Sequence, residues 1–128
     1  MSLLLDTHTA VWWWCAPDRL SATVQSRLSD RNAVVHFSAA SALEIALKHR
    51  VGKLALPGAL ARDLEGCALD EGWRLLSISV RHAQRAGAWE TDHRDPFDRL
   101  LAAQAEIEGL SLVSRDAAFS GMGVRALW

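Results

Sequence analysis

Asp6, Glu44, Asp98 and Asp116 are spread along most of a 128-residue chain, yet each stands beside or within an apolar segment. Carboxylates gathered in one place repel one another, and the repulsion is relieved either by protonation or by a bound cation. Oxygen ligands without a cluster of Cys or His select a hard ion, Mg²⁺ or Mn²⁺. Mg²⁺ takes one or two protein carboxylates and completes its octahedron with water and phosphate oxygens. An ion so held can activate water and stabilise charge on a phosphodiester during in-line displacement. Arg94, Arg99, Arg115 and Lys48 neighbour these acids and are candidate contacts to a substrate backbone.

Each acid also has a local explanation. Asp6 can N-cap the helix that follows it. Ser41-Ala42-Leu43-Glu44 fits a capping box, and Glu44 can pair with Lys48 four residues on. In Asp95-Pro96-Phe97-Asp98, Asp95 is a good N-cap, Pro96 suits the first helical position, and Asp98 is favoured by the helix dipole. Asp116 can cap a turn. Capping does not, however, require four acids to reach one edge from four separate elements.

The elements that must position them alternate along the chain. Apolar, partly β-branched runs at 3–5, 33–37, 73–78 and 110–114 read as buried strands, with a last short strand at 124–127. Between them, helices are expected over 7–15, 21–30, 38–51, 59–71, 79–86 and 95–108, and a turn or short helix over 116–119. This is an α/β fold: a central parallel sheet of four to five strands flanked by helices, joined by right-handed crossovers. In such sheets sites form beyond the carboxyl ends of the strands. Asp6 closes the first strand, Asp116 follows the fourth, and Glu44 lies early in the helix after the second. The helix of Asp95 and Asp98 reaches the same rim if it is a crossover helix.

With no repeat, linker or low-complexity tract, residues 1–128 form one domain. The net charge of −1 excludes a uniformly basic nucleic-acid glove, so such a partner needs a local cationic patch. Cys15 and Cys67 lack a second Cys or close His at zinc spacing and are expected as buried free thiols. No signal peptide or membrane span is evident, so a cytoplasmic protein is expected. Trp12, Trp13 and Trp14 cannot all face one core stripe, because successive helix positions lie about 100° apart. At least one is expected to face a partner or a second subunit.

The motifs carrying these acids resemble the PIN domain family, the nuclease fold of VapC-type toxins. Leu4-Leu5-Asp6-Thr7-His8 looks like its opening motif. Ser41-Ala42-Leu43-Glu44-Ile45-Ala46-Leu47-Lys48 resembles its second. The run from His93 through Asp95-Pro96-Phe97-Asp98-Arg99-Leu100-Leu101 to Ala105 is similar to its third, and Leu112-Val113-Ser114-Arg115-Asp116 to its fourth. The resemblance spans the chain in family order. It implies a Mg²⁺- or Mn²⁺-dependent endoribonuclease, the toxin of a type II toxin–antitoxin pair, silenced by a VapB-like antitoxin and homodimeric. Asp6, Glu44, Asp98 and Asp116 match the acidic quartet that holds the metal and carries catalysis, with Asp95 as a further candidate ligand. Arg99, Arg115 and Lys48 become candidate RNA contacts, and His8 and His93 candidates to orient ligands or water. A PIN-fold nuclease or RNA-binding module that is not a toxin is the alternative. A receiver domain is rejected because Asp6 stands alone and both lysines lie before residue 54. A haloacid-dehalogenase-like phosphatase is rejected because Thr7-His8 replaces the second acid after strand one.

Overall fold

The computed structural model describes residues 2–128. Five parallel strands form one sheet in the order β3-β2-β1-β4-β5: β1 Ser2–Leu5, β2 Val34–Ser38, β3 Arg74–Leu76, β4 Ser111–Val113 and β5 Ala126–Leu127. β1 is central, with Leu3 in register with Val35 on one side and Ser111 on the other. Side chains alternate across it. Leu3 and Leu5 enter a core with Val11, Val24, Phe37, Ile45 and Trp73. Leu4 enters a second core on the other face with Leu101, Leu112 and Phe119. Covering both faces explains why the strands carry continuous apolar runs.

The helices are α1 Thr7–Cys15, α2 Ala22–Ser29, α3 Ala39–Arg50, α4 Gly58–Arg62, α5 Leu64–Asp70, α6 Val80–Ala88, α7 Pro96–Glu108 and α8 Ala118–Gly121. α1 and α3 begin directly beyond the carboxyl ends of β1 and β2. α6 and α7 pack antiparallel, with Arg85 on Glu106 and His82 on Glu108. α7 ends at Gly109, whose left-handed conformation (φ 67°) turns the chain straight into β4. Its start therefore lies at the rim where the parallel strands end. The chain builds outward from β1 through β2 to β3, then crosses to β4 on the other side. That reversal places a topological switch point between β1 and β4, where open parallel sheets form their clefts.

Three expectations need correction. The helix expected over 59–71 is two helices, because Asp63 breaks it with an extended φ of −152° and caps the second piece through Gly66 N–H. The third strand is only Arg74–Leu76, an exposed edge strand with Trp73 buried before it. Cys15 is exposed and Cys67 half-buried; both are free. The Trp run divides its faces: Trp14 packs on Phe37 and Trp73, while Trp12 meets His8 and Trp128, and all three stay partly exposed. Among the described residues no helix is long and apolar enough to cross a membrane.

Candidate active site

Asp6 directly follows β1 and is buried. Its Oδ1 accepts the Thr9 backbone N–H at 2.7 Å, so it caps α1 as the local reading expects. Its Oδ2 accepts the hydroxyl of Ser114, beyond the end of β4. Burial pushes the Asp6 carboxyl above the usual carboxylate range, and the bonds from Ser114 and Thr9 and the nearby His8 oppose this. Ser114 Oγ also accepts the Asp116 backbone N–H at 3.0 Å. One hydroxyl thus ties the β1 acid to the β4 acid. Asp6 and Asp116 line a cleft of about 200 Å³ with His8, Trp12 and Arg115. Asp116 is exposed and caps the start of the following turn through Ala118 N–H.

Glu44 lies on α3 and is only 3% exposed. Lys48 donates to Oε2 at 2.5 Å, the i,i+4 pair expected from the sequence. Oε1 is buried with no hydrogen-bond partner. Asp98, in the first turn of α7, accepts from or shares a proton with His93 Nε2 at 2.9 Å. Burial pushes Asp98 upward, the His93 bond opposes that, and the charges of Asp95 and Glu44 push it further up. Glu44 and Asp98 are therefore electrostatic neighbours. Asp6 and Asp116 thus share a cleft and the Ser114 hydroxyl, while the charge of Glu44 acts on Asp98. The buried bond from Thr7 Oγ1 to Ser41 Oγ, 3.0 Å, joins α1, which Asp6 caps, to α3, which carries Glu44.

Asp95 is the N-cap of α7, accepting Phe97 N–H at 2.9 Å and Asp98 N–H at 3.4 Å. Arg99 is turned inward. Nε donates to the carbonyl of Ala86 (2.8 Å), Nη1 to His93 (2.7 Å), and Nη2 to Trp89 (2.6 Å) and Gly87 (3.3 Å). Those bonds tie Arg99 to the last turn of α6 and to the loop that carries His93. Arg115 lines the Asp6 cleft and is exposed, as a substrate contact requires; Arg94 is exposed too. Sequence reasoning missed the bridging role of Ser114 and the Thr7–Ser41 link. Their only signal was a hydroxyl beside each acid segment, which has no specificity on its own.

Among the described residues, no three His, Cys, Asp or Glu side chains stand together as a ready metal cage. A hard divalent ion needs less, because water and phosphate fill most of its sites. The donors present fit one: all are carboxylate oxygens, and the buried Glu44 Oε1 is an orphaned lone pair. Leaving such an oxygen without a donor or cation costs about 1–3 kcal/mol or more.

A family model described as PIN domain matches residues 3–124. The chain belongs to the PIN domain family, as its fold and the order of its acids led us to expect. Ribonuclease VapC22 of Mycobacterium tuberculosis is 33% identical over 118 residues, which cover 90% of this chain and 87% of that protein. Two solved structures share the fold. VapBC2 of Rickettsia felis, bound to a DNA fragment from its promoter, superimposes with a TM-score of 0.74 at 16% identity, over 99% of this chain and 98% of that one. VapC20 of Mycobacterium tuberculosis, a sarcin-ricin loop cleaving toxin, gives 0.72 at 19% identity, over 95% of each.

Proposed function

We propose that this chain is a Mg²⁺- or Mn²⁺-dependent endoribonuclease and the toxin of a VapBC-type pair, a cytoplasmic homodimer silenced by a VapB-like antitoxin. The observation that carries the chemistry is Glu44 Oε1, a buried carboxylate oxygen with no hydrogen-bond partner while Lys48 holds Oε2, in a carboxylate whose charge acts on Asp98. The relative named a ribonuclease and the fold neighbours solved as VapBC assemblies support the substrate class and the partner.

In this reading Asp6, Glu44, Asp98 and Asp116 hold the ion, which when bound supplies an activated water and Lewis-acid stabilisation of phosphoryl charge. Ser114 fixes the rotamer of Asp6 and the backbone of Asp116 together. His93 orients Asp98, and Arg99 holds the His93 loop. Asp95 orders the first turn of α7 from which Asp98 projects. Lys48 offsets the Glu44 charge, and Arg115 stands at the mouth of the cleft where a phosphate would enter.

The test is RNA cleavage by Asp6→Asn and Asp98→Asn proteins. Both are expected to fold and to lose cleavage, and EDTA is expected to abolish wild-type activity that Mg²⁺ or Mn²⁺ then restores. Full cleavage by both variants, free of contaminating nuclease, would overturn the reading. The toxin assignment is tested by growth arrest on expression, relieved by the product of an adjacent small gene; harmless expression of active enzyme would count against it.

A further inference from the structure

A second, larger cleft adjoins the acidic one. It measures about 450 Å³, within the size range of small-ligand sites, and is lined by Thr7, His8, Val11, Trp12, Arg19, Lys48, Lys53 and Leu54. His8 and Trp12 line both clefts, so the two meet at these side chains. Both lysines of the chain line this cleft with Arg19, and no carboxylate is among its lining residues; Lys48 is held by Glu44, so Arg19 and Lys53 are the cations it offers a ligand. In a molecule of net charge −1 that is the local cationic patch a polyanion needs.

Its aromatic content is equally specific. Trp12, Trp14 and Trp128 all pack against the same core, but where Trp14 meets Phe37 and Trp73, Trp12 also meets His8 and Arg19, both exposed and both lining this cleft. His8 sits 5.8 Å away at 38°, Trp128 meets the ring edge-on at 5.9 Å, and the Arg19 guanidinium lies 5.6 Å from its centroid. Trp12 remains partly exposed, and neither Arg19 nor Lys53 forms an ion pair among the described residues. Cations tracking a backbone beside aromatic faces are what a single strand of nucleic acid uses. An acidic peptide would engage the cations but leave the aromatic faces without a role.

We propose that this cleft is a single-stranded RNA subsite, in which a nucleobase stacks on Trp12 and His8 while its flanking phosphates meet Arg19 and Lys53. The proposal rests on the ribonuclease reading, for which it names how the strand is led away from the acids. Because each base has a flat face, this subsite holds RNA with little sequence preference; duplex RNA, whose bases are already stacked, is excluded from it.

The test is fluorescence anisotropy of the full chain with a fluorescein-labelled oligouridylate of about 10 nucleotides, a length within single-strand site sizes, in EDTA so that nothing is cut. The Arg19→Glu/Lys53→Glu double variant, altered only at exposed positions, is expected to bind at least about tenfold more weakly with a flatter salt dependence. Trp12→Ala is expected to lose about tenfold and Trp12→Phe to recover most of it, since a phenyl ring still stacks. Arg31→Glu, at an exposed position in the turn before β2 that lines neither cleft, is expected to bind as wild type. Wild-type affinity in the double variant would overturn the proposal. So would variants that bind RNA normally but change sedimentation mass or lose a protein partner, which would make the cleft a protein interface. If wild type binds the oligonucleotide through these residues but cuts no RNA with Mn²⁺, the ribonuclease reading fails and the subsite stands. If wild type cuts and all variants bind unchanged, only the subsite fails.

Discussion

Ser114 donates its hydroxyl hydrogen to Oδ2 of Asp6, joining residues 108 positions apart across the β1–β4 pair. Both groups are buried, so the bond has no water to replace it. Ser114→Ala leaves a buried carboxylate oxygen without its donor and the Asp116 N–H without its acceptor. A loss of about 1–3 kcal/mol in urea unfolding at neutral pH is expected. Ser114→Thr keeps the hydroxyl and is expected to recover most of it. Equal stability of the Ala variant and wild type would show that the bond carries no weight.

Asp6 also sets a pH dependence. Burial raises its pKa in the folded chain, whereas the unfolded chain releases this proton near about pH 3.9. Between those two values the folded state binds more protons, so stability falls as pH rises through the window and the full penalty is present above it. Asp98, also raised by burial, adds in the same direction. Asn caps a helix about as well as Asp. Metal-free Asp6→Asn is therefore expected to melt above wild type at neutral pH and to lose that advantage below the window. A variant less stable than wild type at neutral pH in EDTA would contradict this.

We propose that Arg99 acts by holding the α6 end and the His93 loop, not by touching the substrate. Arg99→Lys cannot reach the carbonyls of Ala86, Gly87, Trp89 and His93 together. The expected result is a lower kcat with little change in KM or salt dependence, and a stability loss of about 1–3 kcal/mol. A raised KM with a reduced salt slope and unchanged kcat would instead mark a phosphate contact.

Much of this was readable before folding. The strand runs, the Gly109 stop of α7 and the Asp95 and Asp6 caps depend on neighbours in sequence, and local chemistry dictates them. The Glu44–Lys48 pair follows from helical spacing alone. The break at Asp63 was hidden because apolar spacing continues through it. The short β3 was hidden because Leu75, though apolar, lies on an exposed edge, 42% accessible. The inward turn of Arg99 depends on where the end of α6 and the loop after it come to rest. The two clefts meeting at Trp12 depend on α1, α3 and the segment at Lys53 converging, which spacing within one element cannot reveal.

The central claim is that Glu44 and Asp98, aided by Asp6 and Asp116, form a divalent-ion site that cuts RNA. Mn²⁺ titration followed by electron paramagnetic resonance tests it most directly, because the readout is binding and needs no substrate. Saturable binding by wild type, lost in Glu44→Gln and in Asp98→Asn while both remain folded, is the expected result. Undiminished Mn²⁺ binding by both variants, or RNA cleavage that persists in EDTA, would contradict it.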